Sequence, residues 1–317
     1  MTGEELFIFF LTTLTDMISI LIPTYKQDCF PLVKELHRQA TALDVIFEIL
    51  VADDASPELH RIANRQINSL EHCRFIELKE NLGSGRIRNF LGREAQYPLL
   101  VFLDADTIPC DSSFLQRYLD WPMSDTVVCG GLRYRIKIPT PDRTLRYKYG
   151  INVEQKISEK GETNSSVPFI SINFSISKAL FDRYHFDETF TGYGHEDTLY
   201  GIQLQKNGIT YRYIYNPVFH EVADTNRSFL LKTERGIENL AQHYDLFIGY
   251  VRLLNMHQRI CKLKLESLLA LSFRVGKILM ELNLLGKHPS LKVFAYYKLA
   301  YLCQLTSGQR RSKSGRI

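Results

Sequence analysis

At 317 residues, 45% apolar and 23% charged, the sequence has room for one large α/β domain and an appendage, with the composition of an ordinary globular protein. The net charge is +4, and the last eight residues, RRSKSGRI, alone carry four positive charges: Arg310, Arg311, Lys313 and Arg316. The body is therefore near neutral, which excludes a nucleic-acid binder with a broad basic face; the tail fits an anionic surface or a plain solubilising end.

The first 16 residues are expected to be a loose N-terminal extension, or an artefact of start-codon choice. Their apolar run, Leu6 to Leu14, is too short to span a bilayer and follows acids rather than Lys or Arg. From Met17 to Arg135 strands and helices alternate. MISILIPTY (17–25) predicts a strand ending in a Pro-Thr-Tyr turn, and FPLVKELHRQATAL a helix with Leu32, Leu36, Ala40 and Leu43 on one side. FEILVADDAS (47–56) predicts a strand that ends in acids, and PELHRIANRQINSL (57–70) a helix opened by Pro57. RFIELKEN (74–81), SGRIRNFLGREA (84–95), YPLLVFLDAD (97–106) and TVVCGGLRYR (126–135) predict strand, helix, strand, strand. This order implies a doubly wound, mostly parallel sheet.

Residues 139 to 168 are polar, with proline at both ends and little periodicity, and are expected to form a long loop able to act as a lid. Order returns with FISINFSISKALFDRY (169–184), then GYGHEDTLYGIQLQKNG (192–208), a turn leading into a helix with Glu196 and Asp197 in its first turn. TYRYIYNPVFHE predicts a strand running to His220. From about 226 the pattern is helical: one long helix through SFLLKTERGIENLAQHYDLFIGYVRLL, then amphipathic helices over 265–285 and 290–305. The expected domains are therefore 17–225, divided into halves 17–135 and 136–225, and a helical extension 226–317 with its basic tail. The extension has two readings: docking at a membrane surface, or packing on the catalytic domain or on a second copy. The six cysteines (29, 73, 110, 129, 261, 303) form no CxxC pair and are expected to be reduced core thiols of a cytoplasmic protein, soluble or peripheral at the inner face of the cell membrane.

In a doubly wound sheet ligands bind at the carboxyl ends of the strands. There the sequence puts Tyr25, Asp53, Asp54, Asn81, Asp104 and Asp106. Asp104 and Asp106, two positions apart, can reach one cation if the loop bends, and their hard oxygens suit Mg²⁺ or Mn²⁺. Taken alone, acids at a strand end simply begin a turn. Tyr25 can stack on a base, the VADDAS carboxylates can accept from a base N–H, and ENLGSGRIRN offers glycines for close approach and Arg88 for charge.

These stretches resemble glycosyltransferase family 2 and its GT-A fold. The similarity covers roughly 18–222 through ISILIPTYKQ, ILVADDAS, ENLGSGRIRN, VFLDADT, NFSISK and GYGHEDTLYG, in the family's order. The resemblance implies an inverting, metal-dependent enzyme transferring a sugar from a nucleotide-diphosphate donor, UDP-linked for preference, to a hydroxyl of a glycan or lipid-linked acceptor. It implies nucleotide contacts by Pro23, Thr24, Tyr25, Asp53 and Asp54, and by Asn81, Gly83, Arg88 and Asp104. Asp104 and Asp106 would be the DxD pair holding Mn²⁺ or Mg²⁺, with His220 as a further ligand. Asp197 would be the catalytic base and Glu196 an acceptor contact; at an ordinary pKa of about 3.9, Asp197 is expected to be ionised at neutral pH. Two departures matter. Many members read DDGS where this chain reads DDAS, and the QxxRW motif of processive synthases is missing, since the only tryptophan is Trp121. The alternatives are a nucleotidyltransferase, whose Gly-rich basic signature is absent after the first strand, and a silent sugar-nucleotide or membrane-associated binding protein, which would not need all these acids.

Overall fold

The computed structural model of the protein describes residues 17–122, 125–135, 139–161, 168–221 and 224–314. The expected N-terminal extension and the end of the basic tail lie outside them. β1 (Met17–Thr24) is apolar on both faces, with Ile18, Ile20, Leu21 and Ile22 fully buried, the pattern of a strand inside a parallel sheet. α1 (Phe30–Ala42) has Pro31 in its first turn and buries Leu32, Val33, Leu36 and Ala40. β2 (Ile46–Asp53) pairs parallel with β1 in a register that sets Thr24 beside Asp53. The helix expected over 57–70 is not continuous: α2 (Glu58–Arg61) is one turn and Asn64–Ser69 is 3₁₀. Asn64 explains the break. It is buried, accepts from the Cys29 amide at 2.9 Å and donates to the Gln27 carbonyl at 2.8 Å, so tertiary hydrogen bonds hold the chain where an α-helix would run on.

β3 (Cys73–Glu77), α3 (Ser84–Glu94) and β4 (Leu99–Leu103) follow as expected. After β5 (Thr107–Pro109) and α4 (Phe114–Leu119), the run 126–135 departs from expectation: it forms two strands in two sheets, β6 (Thr126–Cys129) and β7 (Leu132–Arg133). Gly131, at φ +76, turns the chain between them. The segment read as a loop is mostly helical. It contains a 3₁₀ turn Pro141–Arg143, α5 (Thr144–Tyr149), a π turn Gly150–Glu154 and α6 (Gln155–Gly161). Helices this short carry too few apolar positions to show a period, although Leu145 is fully buried.

β8 (Asn173–Ser177), α7 (Lys178–Arg183), α8 (Glu196–Lys206), β9 (Thr210–Tyr213) and β10 (Val218–His220) complete the α/β part. The large sheet runs β3-β2-β1-β4-β8-β6-β9, parallel except that β8 opposes both its neighbours. A small sheet runs β5-β10-β7. The single long helix expected after 226 is instead three: α9 (Asn226–Gln242), α10 (Tyr244–Phe247) and α11 (Arg252–Lys262), with Gly249 at φ +90 in the break. α12 (Glu266–Leu284) and α13 (Leu291–Ser314) end the described chain.

Contacts divide the described chain into two compact units, which do not follow a single cut near 225: one gathers 17–135, 154–189 and 196–221, the other 139–153, 190–195 and 224–314. The first has its core in Leu21, Leu50, Phe102, Phe174, Phe181 and Tyr200, with Phe102 stacked on Phe174 at 4.8 Å. Burying each such aromatic contributes about 1.5–3 kcal/mol. The second has its own core in Leu145, Leu230, Phe273, Phe294, Tyr297 and Ala300. Its last helices are also tied by a buried network in which Tyr244 meets His257 Nδ1, His257 Nε2 meets Thr306, and Thr306 donates to Glu266 at 2.7 Å. Among the described residues no helix is long and apolar enough to cross a membrane.

Candidate active site

The residues singled out from the sequence for chemistry lie in the first unit: at or just past the carboxyl ends of β1, β2 and β4, in the loop and helix that follow β3, at the end of β10, or at the start of α8. Side by side in the sheet, β2, β1 and β4 deliver Asp53, Thr24 and Asp104 to one edge. Pro23 and Thr24 close β1; Thr24 is buried and donates to the Gln27 carbonyl at 3.1 Å. Tyr25 is 49% exposed at the strand end, and the Lys26 ammonium stands over its ring, 4.8 Å from the centroid. Asp53 is buried, accepts from the Ser56 amide at 2.8 Å and stands 3.1 Å from Arg61 Nε, while its Oδ2 has no protein partner. Asp54 anchors the glycine loop: its carboxylate accepts from the Leu82 amide at 2.6 Å and the Gly83 amide at 3.0 Å. Burial raises its pKa and those two amides pull it down. Asn81 donates to the Asp54 carbonyl at 2.9 Å. Gly83, at φ +84, precedes α3, and a side chain there would meet nothing, so this helix N-terminus is open to close approach.

Around β4 a second group converges. Arg88, 4% exposed, reaches from α3 to Asp104 Oδ1 and is steadied by Ser84. Antiparallel pairing of β5 with β10 sets His220 opposite Thr107, and so places its ring beside Asp106, with Nε2 3.0 Å from Oδ2. On its other side His220 Nδ1 lies 3.0 Å from the Tyr134 hydroxyl, which donates to Glu154. A hydroxyl whose proton goes to Glu154 can only accept from Nδ1–H. With Nδ1–H given to that hydroxyl, Nε2 faces the Asp106 carboxylate, and a proton on the ring or a cation between the two holds them together. Burial raises the Asp104 pKa, Arg88 pulls it down, and Asp106 raises it again.

Glu196 and Asp197 open α8, following His195 at φ +71. Asp197 Oδ1 accepts from the Thr198 amide at 2.6 Å. Its acidity is not ordinary: burial first, then the neighbouring Glu196 carboxylate, push its pKa up to about 7, against the pull of Thr198 and Arg88. This corrects the expectation of a carboxylate fully ionised well below neutrality. His195 packs on Phe247 in the second unit, ring centroids 5.8 Å apart. Arg133 and Arg135 lie over the Tyr215 and Phe219 rings at 5.3 and 4.5 Å.

Sequence reasoning missed Tyr134, Glu154 and Asn89. Asn89 is buried and holds Phe186 and Glu188, which ties the approach to α8 onto α3. Tyr134 lies in a run read only as a strand, and Glu154 lies inside the segment read as a loop. Gln155 and Ser158 of that segment accept from the Tyr134 and Leu132 amides, so it is fastened beside β7.

The chain is 28% identical over 233 residues to chondroitin synthase of Escherichia coli, covering 62% of this chain and 33% of that protein. It is equally 28% identical over 230 residues to validoxylamine A glucosyltransferase of Streptomyces hygroscopicus subsp. limoneus, covering 62% and 50%. The matches thus span a third to a half of those relatives' lengths. The mannosyltransferase PcManGT from Pyrobaculum calidifontis, solved in complex with GDP-Man and Mn²⁺, has a similar fold: TM-score 0.56 over 92% of this chain and 86% of that one, at 14% identity. The sequence profile described as "Glycosyl transferase family 2" matches residues 19–190, more than half of the chain, and with a mostly parallel GT-A sheet carrying the expected acids at its edge, the chain belongs to that family.

Proposed function

We propose that this enzyme is an inverting, non-processive, divalent-metal-dependent glycosyltransferase that moves a sugar from a nucleotide diphosphate to a hydroxyl of a glycan or lipid-linked glycan. The observation that carries the reading is the facing pair of His220 Nε2 and Asp106 Oδ2, with Asp104 two residues from Asp106 and Arg88 on Asp104. Two ligands about 2.1 Å from one cation, at right angles, stand about 3 Å apart, so the pair fits Mn²⁺ or Mg²⁺, and Tyr134 and Glu154 fix the imidazole tautomer that ligation requires. Asp104, Asp106 and His220 would hold the ion, which when bound would neutralise charge gathering on the leaving diphosphate. Arg88, fixed by Ser84 and Asp104, adds a permanent positive charge at the same edge. Tyr25 is offered to the base, Asp53 Oδ2 is a buried acceptor without a protein donor, and the open Gly83 end of α3 suits phosphate. Asp197, with a pKa near neutrality, takes the acceptor hydroxyl's proton, and Glu196 orients that acceptor.

Sugar donors in this family are most often UDP-linked, and one curated relative is named a glucosyltransferase, which favours a UDP-hexose or N-acetylhexosamine. The test is a screen of UDP-, GDP- and dTDP-sugars for hydrolysis and transfer, with Mn²⁺ and with EDTA, on parent and Asp106→Ala enzyme. We expect turnover with one nucleotide class in Mn²⁺ and loss of it in EDTA or in the variant. Full activity of Asp106→Ala would end the metal assignment, and nucleotide binding without turnover of any donor would favour a silent binding protein.

A further inference from the structure

Among the described residues, nothing covers one face of α12. Leu268, Leu271, Val275, Ile278 and Leu282 are 61, 56, 78, 72 and 67% exposed, and they recur at alternating steps of three and four residues. That is the 3.5-residue period of a coiled-coil seam, in leucine and β-branched residues as a and d positions demand. Leu279, 73% exposed, widens the stripe on one side. The opposite side of the same helix buries Ala270 and Phe273 in the core of its unit, so the helix is fully used, one face inward and one outward. Six large apolar side chains, each more than half exposed and set in one unbroken stripe, mark an interaction face rather than the singly scattered apolar residues of an ordinary surface.

Gly276 points the same way. It lies mid-helix in ordinary helical backbone, where glycine is the least favourable residue short of proline. Among the described residues nothing demands it: a side chain there would meet only Met280 Cε, at 3.9 Å. With Ser272 it floors a groove bordered by Leu279 and by Tyr296 of α13. A glycine unexplained by its own fold, beside an exposed seam, is explained by a second backbone or side chain approaching from outside.

We propose that the chain self-associates through this face, α12 of one copy laid along α12 of a second. Seam and groove on each copy form one self-complementary surface, as a two-fold dimer requires. A lipid surface fits less well. A helix lying on an anionic bilayer carries rows of Lys and Arg along its polar flanks. α12 has Arg274 and Lys277 against Glu266 and Glu281, with no net charge, and Lys277 is committed to Glu234 at 3.3 Å.

Sedimentation velocity on the full chain, from about 1 to 100 μM to cover ordinary protein affinities, tests it. The parent is expected to sediment as a dimer at the upper end. Leu271→Glu/Ile278→Glu should be monomeric, with the far-UV spectrum and melting temperature of the dissociated parent, because both positions are exposed in the single chain. Gly276→Leu should fill the groove and abolish the dimer while the monomer melts no lower than the parent, since leucine is the better helix former; it carries the test if the charged variant misfolds. A parent that stays monomeric, or a dimer that survives in a folded variant, overturns the proposal. A monomeric parent that floats with anionic phosphatidylglycerol vesicles, and ceases to in Leu271→Glu/Ile278→Glu, overturns it in favour of lipid.

Discussion

The chemistry of the site turns on single carboxylates made unlike one another by where they stand. Asp197 and Glu196 are adjacent in sequence, yet burial and the Glu196 charge raise the Asp197 pKa to about 7. A raised pKa holds the proton on the base at acid pH. Log kcat/KM, which reports the free enzyme, should therefore climb with a slope near one up to about pH 7 and level above it. Glu196→Gln removes the second cause of the shift and should carry that limb to lower pH; Asp197→Asn should lose on the order of 10²- to 10⁴-fold in kcat while keeping nucleotide affinity. A rate flat from pH 5 to 8, or an Asp197→Asn enzyme near parental rate, would move the base elsewhere. The sequence identified this pair by position alone. It could not give the pKa, because the burial that sets it is built by elements distant in the chain.

Short elements show best what was legible and what was not. The strand ends bearing Thr24, Asp53 and Asp104 could be read because long apolar runs announce buried parallel strands and their ends follow directly. The small sheet β5-β10-β7 could not: strands of two or three residues have no period, and the register that sets His220 against Asp106 joins positions 114 residues apart. Tyr134 and Glu154 were missed for the same reason. The turn after β2 offers an independent test. Ala55 holds φ +58, with its amide donating to the Asp53 carbonyl, at the place where many family members have glycine. An L-residue there costs roughly 1–2 kcal/mol, while glycine returns roughly 0.5–1 in unfolded-chain entropy. Ala55→Gly should then raise stability in urea unfolding by about 0.5–1 kcal/mol without changing the m-value. A loss of stability would mean the turn relieves the strain elsewhere.

At the scale of the whole molecule, two units with separate cores share one chain, and the candidate site residues belong to one of them. Ligands that bind only the folded state raise its stability by mass action, about 2.7 kcal/mol at a hundred times Kd, which is several degrees for a unit of this size. His220 Nε2 and Asp106 Oδ2 face each other at 3.0 Å, a spacing that receives a cation even before a donor arrives, and Arg88 already sets a positive charge against Asp104. Divalent ion and nucleotide diphosphate should therefore bind with positive coupling, each raising the other's affinity by the same factor. Thermal melts with Mn²⁺ alone, UDP alone and both together should give a joint shift larger than the two single shifts added. Asp106→Ala should retain a shift with UDP alone, because Tyr25, Asp53 and the Gly83 end of α3 are untouched, and lose the excess. Magnesium in place of manganese should preserve the sign of the coupling, since both ions accept this oxygen-rich ligand set, while Ca²⁺, which prefers ligands at 2.3–2.6 Å, should give less of it. Shifts that simply add, or an excess that persists in Asp106→Ala, would leave the carboxylates at the end of β4 and the His220 ring with a purely structural role.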